Sequence, residues 1–172
     1  MPARVVVPEN LEPYIDRVFR FALALSRDRH VAEDLTQETF LRAYRSLDQL
    51  RKHNSARSWL FRILFNLWKD RCRKKRLPLQ DGDYEVEDRG ARPLEVLIDA
   101  ERQQSALQLM QALPAMQRNA LFLSAVEQLS NGEISRLLET SENSVKASLS
   151  IARKKMREML SRKAGNNATA QD

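Results

Sequence analysis

The side chains with the most distinctive chemistry lie between residues 143 and 154, at spacings that place them on one side of a helix. Projected at about 100° per residue, the outward set is small or polar apart from one isoleucine, and comprises Asn143, Lys146, Ala147, Ser150, Ile151 and Lys154. Small residues let a helix approach base edges closely, and lysine reaches phosphates or bases. This pattern indicates recognition of DNA in the major groove.

The elements expected to position this face are a short helix at 133–138, a turn at 139–142 and a longer helix at 143–156. That order is typical of a helix-turn-helix motif. The inner face of the longer helix is predicted to pack on Ile134, Leu137 and Leu138 through Val145, Leu149, Ala152, Met156 and Leu160. The pattern alone leaves open an ordinary amphipathic helix with a solvated basic face.

Charge divides the middle of the chain into two unlike segments. A basic run occupies residues 62–76, with Arg62, Lys69, Arg71, Arg73, Lys74, Lys75 and Arg76. Residues 77–100 are mainly acidic and include two of the four glycines together with Pro78 and Pro93. A polar, acidic segment with Gly and Pro between periodic blocks predicts a linker.

Apolar residues recur at helical spacing on both sides of this segment. A first helix covers about residues 15–23, a second 31–47, and Ser55 can cap a third that includes Leu60, Ile63, Leu64 and Leu67. Beyond the acidic segment, one helix closes before Pro114 and another spans roughly residues 117–128. With only 4 Gly and 6 Pro in 172 residues, the chain is predicted to be all-α.

The amino-acid composition limits the classes of protein to which this chain can belong. The 29 Lys and Arg outnumber the 23 Asp and Glu, a formal charge of +6 that favours polyanionic partners. Cys72 is the single cysteine, which excludes an intrachain disulfide. No stretch approaches the ~18 apolar residues of a membrane span, and residues 1–7 are not an apolar signal core. We expect a cytoplasmic protein without membrane insertion.

The sequence offers no constellation for catalysis. His30 and His53 are the only histidines, and with Cys72 they form no recognisable zinc site. No glycine-rich phosphate-binding loop is present. Acidic residues around Asp34 could bind Mg²⁺ in principle, but a solvated or docking face is the preferred interpretation. We therefore expect no catalytic residue, no metal and no cofactor.

Two parts of the chain match a known family in order and spacing. The first reads RHVAEDLTQETFLRAYRSL from Arg29 and SWLFRILFNLWKDR from Ser58. The second combines LPAMQR from Leu113 with the pairs Glu133-Ile134 and Val145-Lys146. Together they resemble the extracytoplasmic-function sigma factors of the sigma-70 family.

The resemblance implies two small helical domains, sigma region 2 at 10–77 and sigma region 4, with the helix-turn-helix, at 98–163. An acidic flexible linker at 78–97 joins them, and a disordered tail is expected at 164–172. It also implies promoter-specific transcription initiation without catalytic activity. The implied partners are core RNA polymerase (its β′ clamp helices and β flap), promoter DNA and an anti-sigma factor.

By the same resemblance, the helix at 31–47 docks on the β′ clamp helices. Its outward residues are Asp34, Gln37, Glu38, Leu41 and Arg45. Asp34 and Glu38 lie one turn apart, so both carboxylates can meet basic residues of a partner helix. The alternative is a solvated acidic face that touches nothing.

The third helix and the loop before it are implied to open and hold the minus-ten element. The candidate contacts are His53, Asn54, Ser55, Arg57, Trp59, Arg62, Asn66, Lys69 and Arg73. Separated bases can stack on aromatic rings for about 1–3 kcal/mol each, while basic residues neutralise the backbone. Because most aromatics at helical spacing belong to a core, we also expect Trp59 and at least one phenylalanine to pack, an assignment that competes with a contact role for Trp59.

Region 4 is implied to read the minus-thirty-five element through Arg118, Asn143, Ser144, Lys146, Ala147, Ser150, Ile151 and Lys154. The family often has arginine where this chain has Ser148 and Ile151. The usual turn glycines are replaced by Glu139 and Asn143. Isoleucine cannot make the bidentate guanine contact of arginine, although it can touch a thymine methyl. We therefore hypothesise an unusual upstream element that Ile151→Arg would change.

Three other functions remain as alternatives. The departures at Ile151, Ser148 and Glu139 suggest a sigma-like decoy or adaptor that binds an anti-sigma factor without supporting transcription. A helix-turn-helix transcriptional repressor would not need the matching first half. A metal-dependent hydrolase would need divalent metal on the acidic helix. The matching docking and melting helices favour the sigma factor.

Overall fold

The structure, a computed structural model, describes residues 10–50, 55–76 and 101–169. Within these ranges every regular element is a helix, and none is long and apolar enough to cross a membrane. The chain divides into two compact units, Met1–Arg92 and Pro93–Asp172. The prediction of an all-α fold with two helical domains is confirmed, while the predicted linker at 78–97 lies outside the described residues.

The first unit has a short 3-10 helix, Glu12–Tyr14, followed by α1 (Ile15–Ser26), α2 (Arg29–Arg45), α3 (Leu47–Leu50) and α4 (Ala56–Arg76). Side chains cap α2 and α4, the two longest helices of this unit. Asp28 Oδ1 accepts a hydrogen bond from the Val31 amide at 3.1 Å, and Ser55 Oγ accepts one from the Ser58 amide at 3.3 Å. These caps satisfy amides that have no partner within their own helix.

The core of the first unit forms where α1, α2 and α4 pack together. Phe21 and Phe61 meet with ring centroids 5.2 Å apart and an interplanar angle of 54°, a tilted geometry that aromatic pairs favour. The other fully buried aliphatic residues of these helices include Val18, Leu23, Leu60 and Leu64. Thr39 is also fully buried, and its hydroxyl is satisfied by donating to the Leu35 carbonyl at 2.6 Å.

The second unit contains α5 (Glu101–Met110), α6 (Ala115–Ala125), α7 (Asn131–Leu137) and α8 (Glu142–Thr169). α7 begins with a capping box, in which Ser130 Oγ accepts from the Glu133 amide at 3.2 Å and Glu133 Oε2 from the Ser130 amide at 2.8 Å. α8 packs on α6 and α7. The buried residues of these three helices include Phe122, Leu123, Ile134, Val145, Leu149 and Ala152.

α8 differs from the sequence prediction toward its end. The helix continues to Thr169, into the segment 164–172 that is expected to be a disordered tail. Gly165 makes the helix less stable than alanine would by about 1 kcal/mol. A penalty of this size does not stop a helix that is already propagating. Leu160, predicted to pack on α7, is instead 45% exposed, because the 7 residues of α7 do not reach that far along α8.

Candidate nucleic-acid and protein interfaces

One candidate interface is the outer side of α2, opposite the side that it buries in the core. Asp34, Gln37 and Arg45 are exposed there, and Glu38 and Leu41 are half-buried. Their spacing follows the helical repeat, so the helix brings all five predicted docking residues together. These residues are called the docking face below.

Ion pairs within the first unit compensate part of the negative charge on the docking face. Glu38 Oε1 lies 3.0 Å from Arg42 Nε, and Asp34 Oδ2 lies 3.9 Å from Arg71 Nη1 of α4. Solvent-exposed pairs of this kind are worth only about 0–1 kcal/mol, so a partner with well-placed basic groups can replace them. No group of three or more His, Cys, Asp or Glu side chains suited to a metal ion occurs in the described ranges.

Tyr44 extends the docking face, although sequence reasoning missed it. Its side chain is 55% exposed and lies three residues after Leu41 on the same helix. The sequence contained a signal, because Tyr44 lies three residues after Leu41, which was predicted to face outward. An aromatic residue at helical spacing, however, usually indicates a position in the core. Leu41 and Tyr44 form an apolar centre with Asp34, Glu38 and Arg45 on the same face.

A second candidate interface runs along the outer side of α4. Arg62, Asn66 and Arg73 are exposed, and Lys69 is half-buried. Steps of four, three and four residues place them in one row, which is called the α4 stripe below. Arg73 Nη2 donates to Asp70 Oδ1 at 2.7 Å, in an exposed pair that a phosphate can displace.

The aromatic residues of α4 divide between the core and the neighbourhood of the stripe. Trp59, predicted among the DNA contacts, is only 4% exposed, so we correct this assignment to packing. A base cannot stack on a ring that is covered by protein. Phe65 is half-buried, and Lys69 Nζ lies 5.4 Å from its ring centroid, within cation–π range. Phe65 is therefore an aromatic ring adjacent to the stripe.

Four further predicted DNA contacts precede the α4 stripe in the sequence. His53 and Asn54, both predicted contacts, lie outside the described residues. Ser55 and Arg57 are half-buried at the beginning of α4. Because Ser55 Oγ accepts the Ser58 amide hydrogen, Ser55 has a structural role as a cap that does not depend on DNA.

The outward face of α8 is the third candidate interface. All of its predicted members are exposed, namely Asn143, Ser144, Lys146, Ala147, Ser150, Ile151 and Lys154. The opposite side is buried at Val145, Leu149 and Ala152, which agrees with the first three positions of the predicted inner face, whereas Met156 is half-buried and Leu160 is exposed. The Ser144 amide donates to Ser141 Oγ at 3.1 Å, so this pair also helps to start the helix.

Arg118 does not belong to that face. Its side chain is buried, at 5% exposure, and its Nη1 donates to the Leu113 carbonyl at 2.8 Å. This carbonyl lies in the turn between α5 and α6, where the ladder of helical hydrogen bonds is interrupted. We therefore correct Arg118 from a phosphate contact to a structural residue, since a buried guanidinium bound to a carbonyl is not presented to DNA.

The turn between α7 and α8 contains a residue in the left-handed region. Glu139 has a φ of 54°, at a position where the resemblance expects glycine, whereas Asn143 lies within α8. The turn is closed by the Thr140 amide, which donates to the Ser135 carbonyl at 3.0 Å. This conformation costs a residue with a Cβ about 1–2 kcal/mol, and the packing of α7 and α8 offsets that cost.

Replacing Glu139 by glycine is expected to stabilise the second unit by about 0.5–1 kcal/mol, less than the full left-handed cost because glycine loses more backbone entropy on folding. Urea denaturation followed by circular dichroism would show this as a higher midpoint. Glu139→Ala is the control, because alanine removes the carboxylate but keeps the Cβ. Equal stabilisation by alanine would contradict the backbone explanation.

Comparison with known families matches both units. The family described as Sigma-70 region 2 matches residues 11–77, and the family described as Sigma-70, region 4 matches residues 103–156. The first match includes the docking face and the α4 stripe. The second includes the turn at Glu139 and the outward face of α8 up to Lys154.

Curated relatives match along most of the chain. It is 31% identical over 164 residues to the ECF RNA polymerase sigma factor SigE of Mycolicibacterium smegmatis, covering 93% of this chain and 63% of the relative. It is 29% identical over 159 residues to SigM of Bacillus subtilis, covering 92% and 97%. It is 30% identical over 148 residues to SigM of Mycobacterium tuberculosis, covering 84% and 71%.

Solved structures share the fold. The sigma factor RpoE from Bartonella quintana, in complex with the anti-sigma factor NepR, matches with a TM-score of 0.68 at 27% identity, covering 88% of this chain and 94% of that chain. CnrH, in complex with the cytosolic domain of CnrY, matches with a TM-score of 0.57 at 22% identity, covering 88% and 85%. At that identity the second likeness concerns the fold alone.

Proposed function

Since this chain belongs to the sigma-70 family and is an extracytoplasmic-function sigma factor, we propose that it binds core RNA polymerase through the docking face and promoter DNA through the α4 stripe and α8. A sigma factor is not an enzyme, and the polymerisation chemistry is that of the core polymerase. We assign the functional domains to residues 10–77 and 98–163, and the site of action to the cytoplasm, where polymerase and promoters are found.

The observation that best supports this proposal is that two unlike faces belong to one compact unit. α2 and α4 pack on each other and on α1. The docking face and the α4 stripe therefore keep a fixed position relative to each other. The docking face is acidic with an apolar centre, whereas the stripe is basic with a ring beside it. A unit with both faces can bind the polymerase and hold DNA at the same time.

On the docking face, the apolar centre would supply most of the affinity. Interface hot spots are enriched in aromatic residues surrounded by groups that exclude water, which suits Tyr44 beside Leu41. Asp34 and Glu38 would pair with basic residues of the β′ clamp helices. Charged pairs at a rim mainly set the association rate and the register.

Along the α4 stripe, the cations would follow the backbone of a separated strand. Arg62, Lys69 and Arg73 neutralise phosphates, and Asn66 adds hydrogen-bond donors and an acceptor for a base edge. Phe65 offers part of its ring for stacking next to Lys69. The predicted contacts at His53 and Asn54 remain part of this proposal.

Replacing Arg62 and Lys69 by alanine is expected to weaken binding to melted promoter DNA and to flatten its salt dependence. Each phosphate contact to a single strand contributes about 0.7 to the slope of log K against log salt, so the double variant should lose about 1.4. Fluorescence anisotropy of the holoenzyme on a promoter with an unpaired minus-ten element measures this slope.

The matched control for that experiment is Lys74→Ala with Lys75→Ala. These exposed residues lie on the same helix but outside the stripe, and the double substitution removes the same charge. The control should keep most of the slope, because the proposed row along α4 is intact. An equal loss in both variants would show that total charge matters and the row does not.

α8 would lie in the major groove with its outward face toward the upstream element. Lys146 and Lys154 are exposed and can reach phosphates. Asn143, Ala147 and Ser150 present a polar or small surface to base edges. The proposed upstream contacts are the seven predicted residues of α8, from Asn143 to Lys154, and Arg118 of α6 is no longer among them.

We also propose that an anti-sigma factor regulates this chain. The related RpoE was solved in complex with the anti-sigma factor NepR. The apolar centre formed by the half-buried Leu41 and the exposed Tyr44 is a surface that such a protein could cover, in competition with the polymerase. A partner of this kind would prevent initiation without any change in DNA sequence preference.

Transcription from a reconstituted holoenzyme tests the proposed function. The purified chain is added to core RNA polymerase with genomic fragments, and the 5′ ends of the transcripts are mapped. Defined starts preceded by two spaced motifs are the expected result. Binding to the core without initiation would support a decoy, and a lack of affinity for the core would reject the proposal.

A further inference from the structure

The outward face of α8 changes its chemistry along one row of residues. Asn143, Ala147 and Ile151 follow one another at four-residue steps, so an amide is succeeded by two apolar side chains. Ile151 is 45% exposed, and the neighbouring Ser150 and Lys154 are polar and exposed. A large aliphatic side chain therefore projects into water from the surface proposed to contact DNA.

Packing within the second unit does not account for this position. The buried side of α8 is formed by Val145, Leu149 and Ala152. At about 100° per residue, Ile151 is turned about 160° away from Leu149. The part of its apolar surface that is exposed thus loses water only when a ligand covers the outward face.

The row also lacks a residue that reads guanine by a bidentate contact. The one arginine between residues 143 and 154 is Arg153, and its Nη2 donates to Ser124 Oγ of α6 at 3.4 Å. The three residues of the row itself, Asn143, Ala147 and Ile151, suit A·T pairs. Asparagine matches the adenine edge, and aliphatic carbon matches the methyl group of thymine.

We propose that Ile151 and Ala147 form a binding site for the 5-methyl group of thymine in the upstream promoter element, with Asn143 on a neighbouring adenine. The inference rests on the proposed function, because it requires α8 to lie in the major groove. The base pairs that these three residues cover in the upstream element are then A·T pairs. Lys146 and Lys154, which can reach phosphates or guanine, are not part of this site.

Removing single methyl groups from the DNA tests this site. The holoenzyme of the full chain first selects its upstream element from a randomised promoter library. Each thymine of the selected element is then replaced by deoxyuridine, which lacks only the 5-methyl group. Binding should weaken about fourfold at the thymine that Ile151 covers, which corresponds to the ~0.8 kcal/mol of one buried CH₂.

A double-mutant cycle assigns the methyl group to Ile151. With Ile151→Ala, the effect of deoxyuridine at that position should be largely lost. With Leu160→Ala, a substitution at another α8 residue with the same 45% exposure, it should stay at about fourfold. The proposal is overturned if no thymine responds to deoxyuridine, or if the response is unchanged by Ile151→Ala.

The same assays separate this inference from the function on which it rests. If the selected promoters support initiation while deoxyuridine has no effect, the thymine site is rejected and the sigma-factor proposal stands. If no promoter supports initiation, both are rejected. This second outcome is recognised before any thymine is changed.

The converse substitution, Ile151→Arg, should introduce a guanine reader at the same place. Selection from the randomised library is expected to replace the A·T pair with one that presents guanine, because arginine contacts guanine O6 and N7 together. Unchanged selection would count against the site. Thermal unfolding should be similar in the two proteins, since Ile151 lies on the surface.

Discussion

Replacing both Asp34 and Glu38 by lysine is expected to weaken binding to core polymerase by about 100-fold or more. Both carboxylates lie on the docking face, and the new cations would meet the basic residues proposed on the clamp helices. Like charges brought together at an interface cost several kcal/mol, and about 2.7 kcal/mol corresponds to 100-fold. Titration of fluorescently labelled protein with core polymerase at fixed salt measures the loss.

A second double substitution, Glu12→Lys with Asp16→Lys, is the control for this prediction. It changes the net charge of the chain by the same amount, at exposed residues before and within α1. This control should bind core polymerase with nearly the wild-type affinity. A comparable loss would mean that overall charge, and not the docking face, determines the interaction.

The charge-reversed protein should still fold. Its two substitutions remove the exposed pairs to Arg71 and Arg42, each worth about 0–1 kcal/mol. Circular dichroism and the unfolding midpoint should therefore stay close to wild type. Loss of polymerase binding by a folded protein can then be attributed to the docking face and not to unfolding.

Replacing Phe61 by alanine is expected to destabilise the first unit by about 3–5 kcal/mol. The ring is fully buried and its centroid lies 5.2 Å from that of Phe21, so the substitution leaves a cavity between α1 and α4. Small domains have only about 5–15 kcal/mol of total stability. Polymerase binding and strand separation should decline together, because the docking face and the α4 stripe depend on the same packing.

Tryptophan fluorescence can follow the unfolding of the first unit by itself. The chain has two tryptophans, Trp59 and Trp68, and both lie in α4. Phe65→Ala is the control, because it removes the same side chain from a half-buried position of the same helix. If the denaturation midpoint falls no further for Phe61→Ala than for Phe65→Ala, the central place of Phe61 in the core is refuted.

The helices and the division of α8 into two faces were predictable from sequence for a physical reason. A helix that packs on one side must repeat its apolar residues every three or four positions. Val145, Leu149 and Ala152 follow that rule and are buried. Asn143 and Lys146 lie outside that repeat, on the outward side of the helix, and are exposed. The fold class follows from the same periodicity, together with the scarcity of glycine and proline.

Aromatic and arginine side chains were harder to assign. Trp59 and Phe65 have similar surroundings in the sequence, yet one is buried and the other lies half-buried beside Lys69. Arg118 is also buried and hydrogen-bonds a backbone carbonyl. Tyr44 is exposed although its residue type favours a core. Either outcome suits such side chains, because aromatic rings are large and apolar, and the polar atoms of tryptophan, tyrosine and arginine can be buried when they find partners.

Local chemistry in the chain was therefore enough to predict helices, two units and the outward row of α8, since helical periodicity needs no knowledge of distant neighbours. Packing between helices settled what periodicity leaves open. It buried Trp59 and Arg118, left Tyr44 and Leu160 in solvent, and stabilised Glu139 at a positive φ. Each of these depends on whether another helix lies within reach, which is a property of the folded unit and not of the residue's neighbours in sequence.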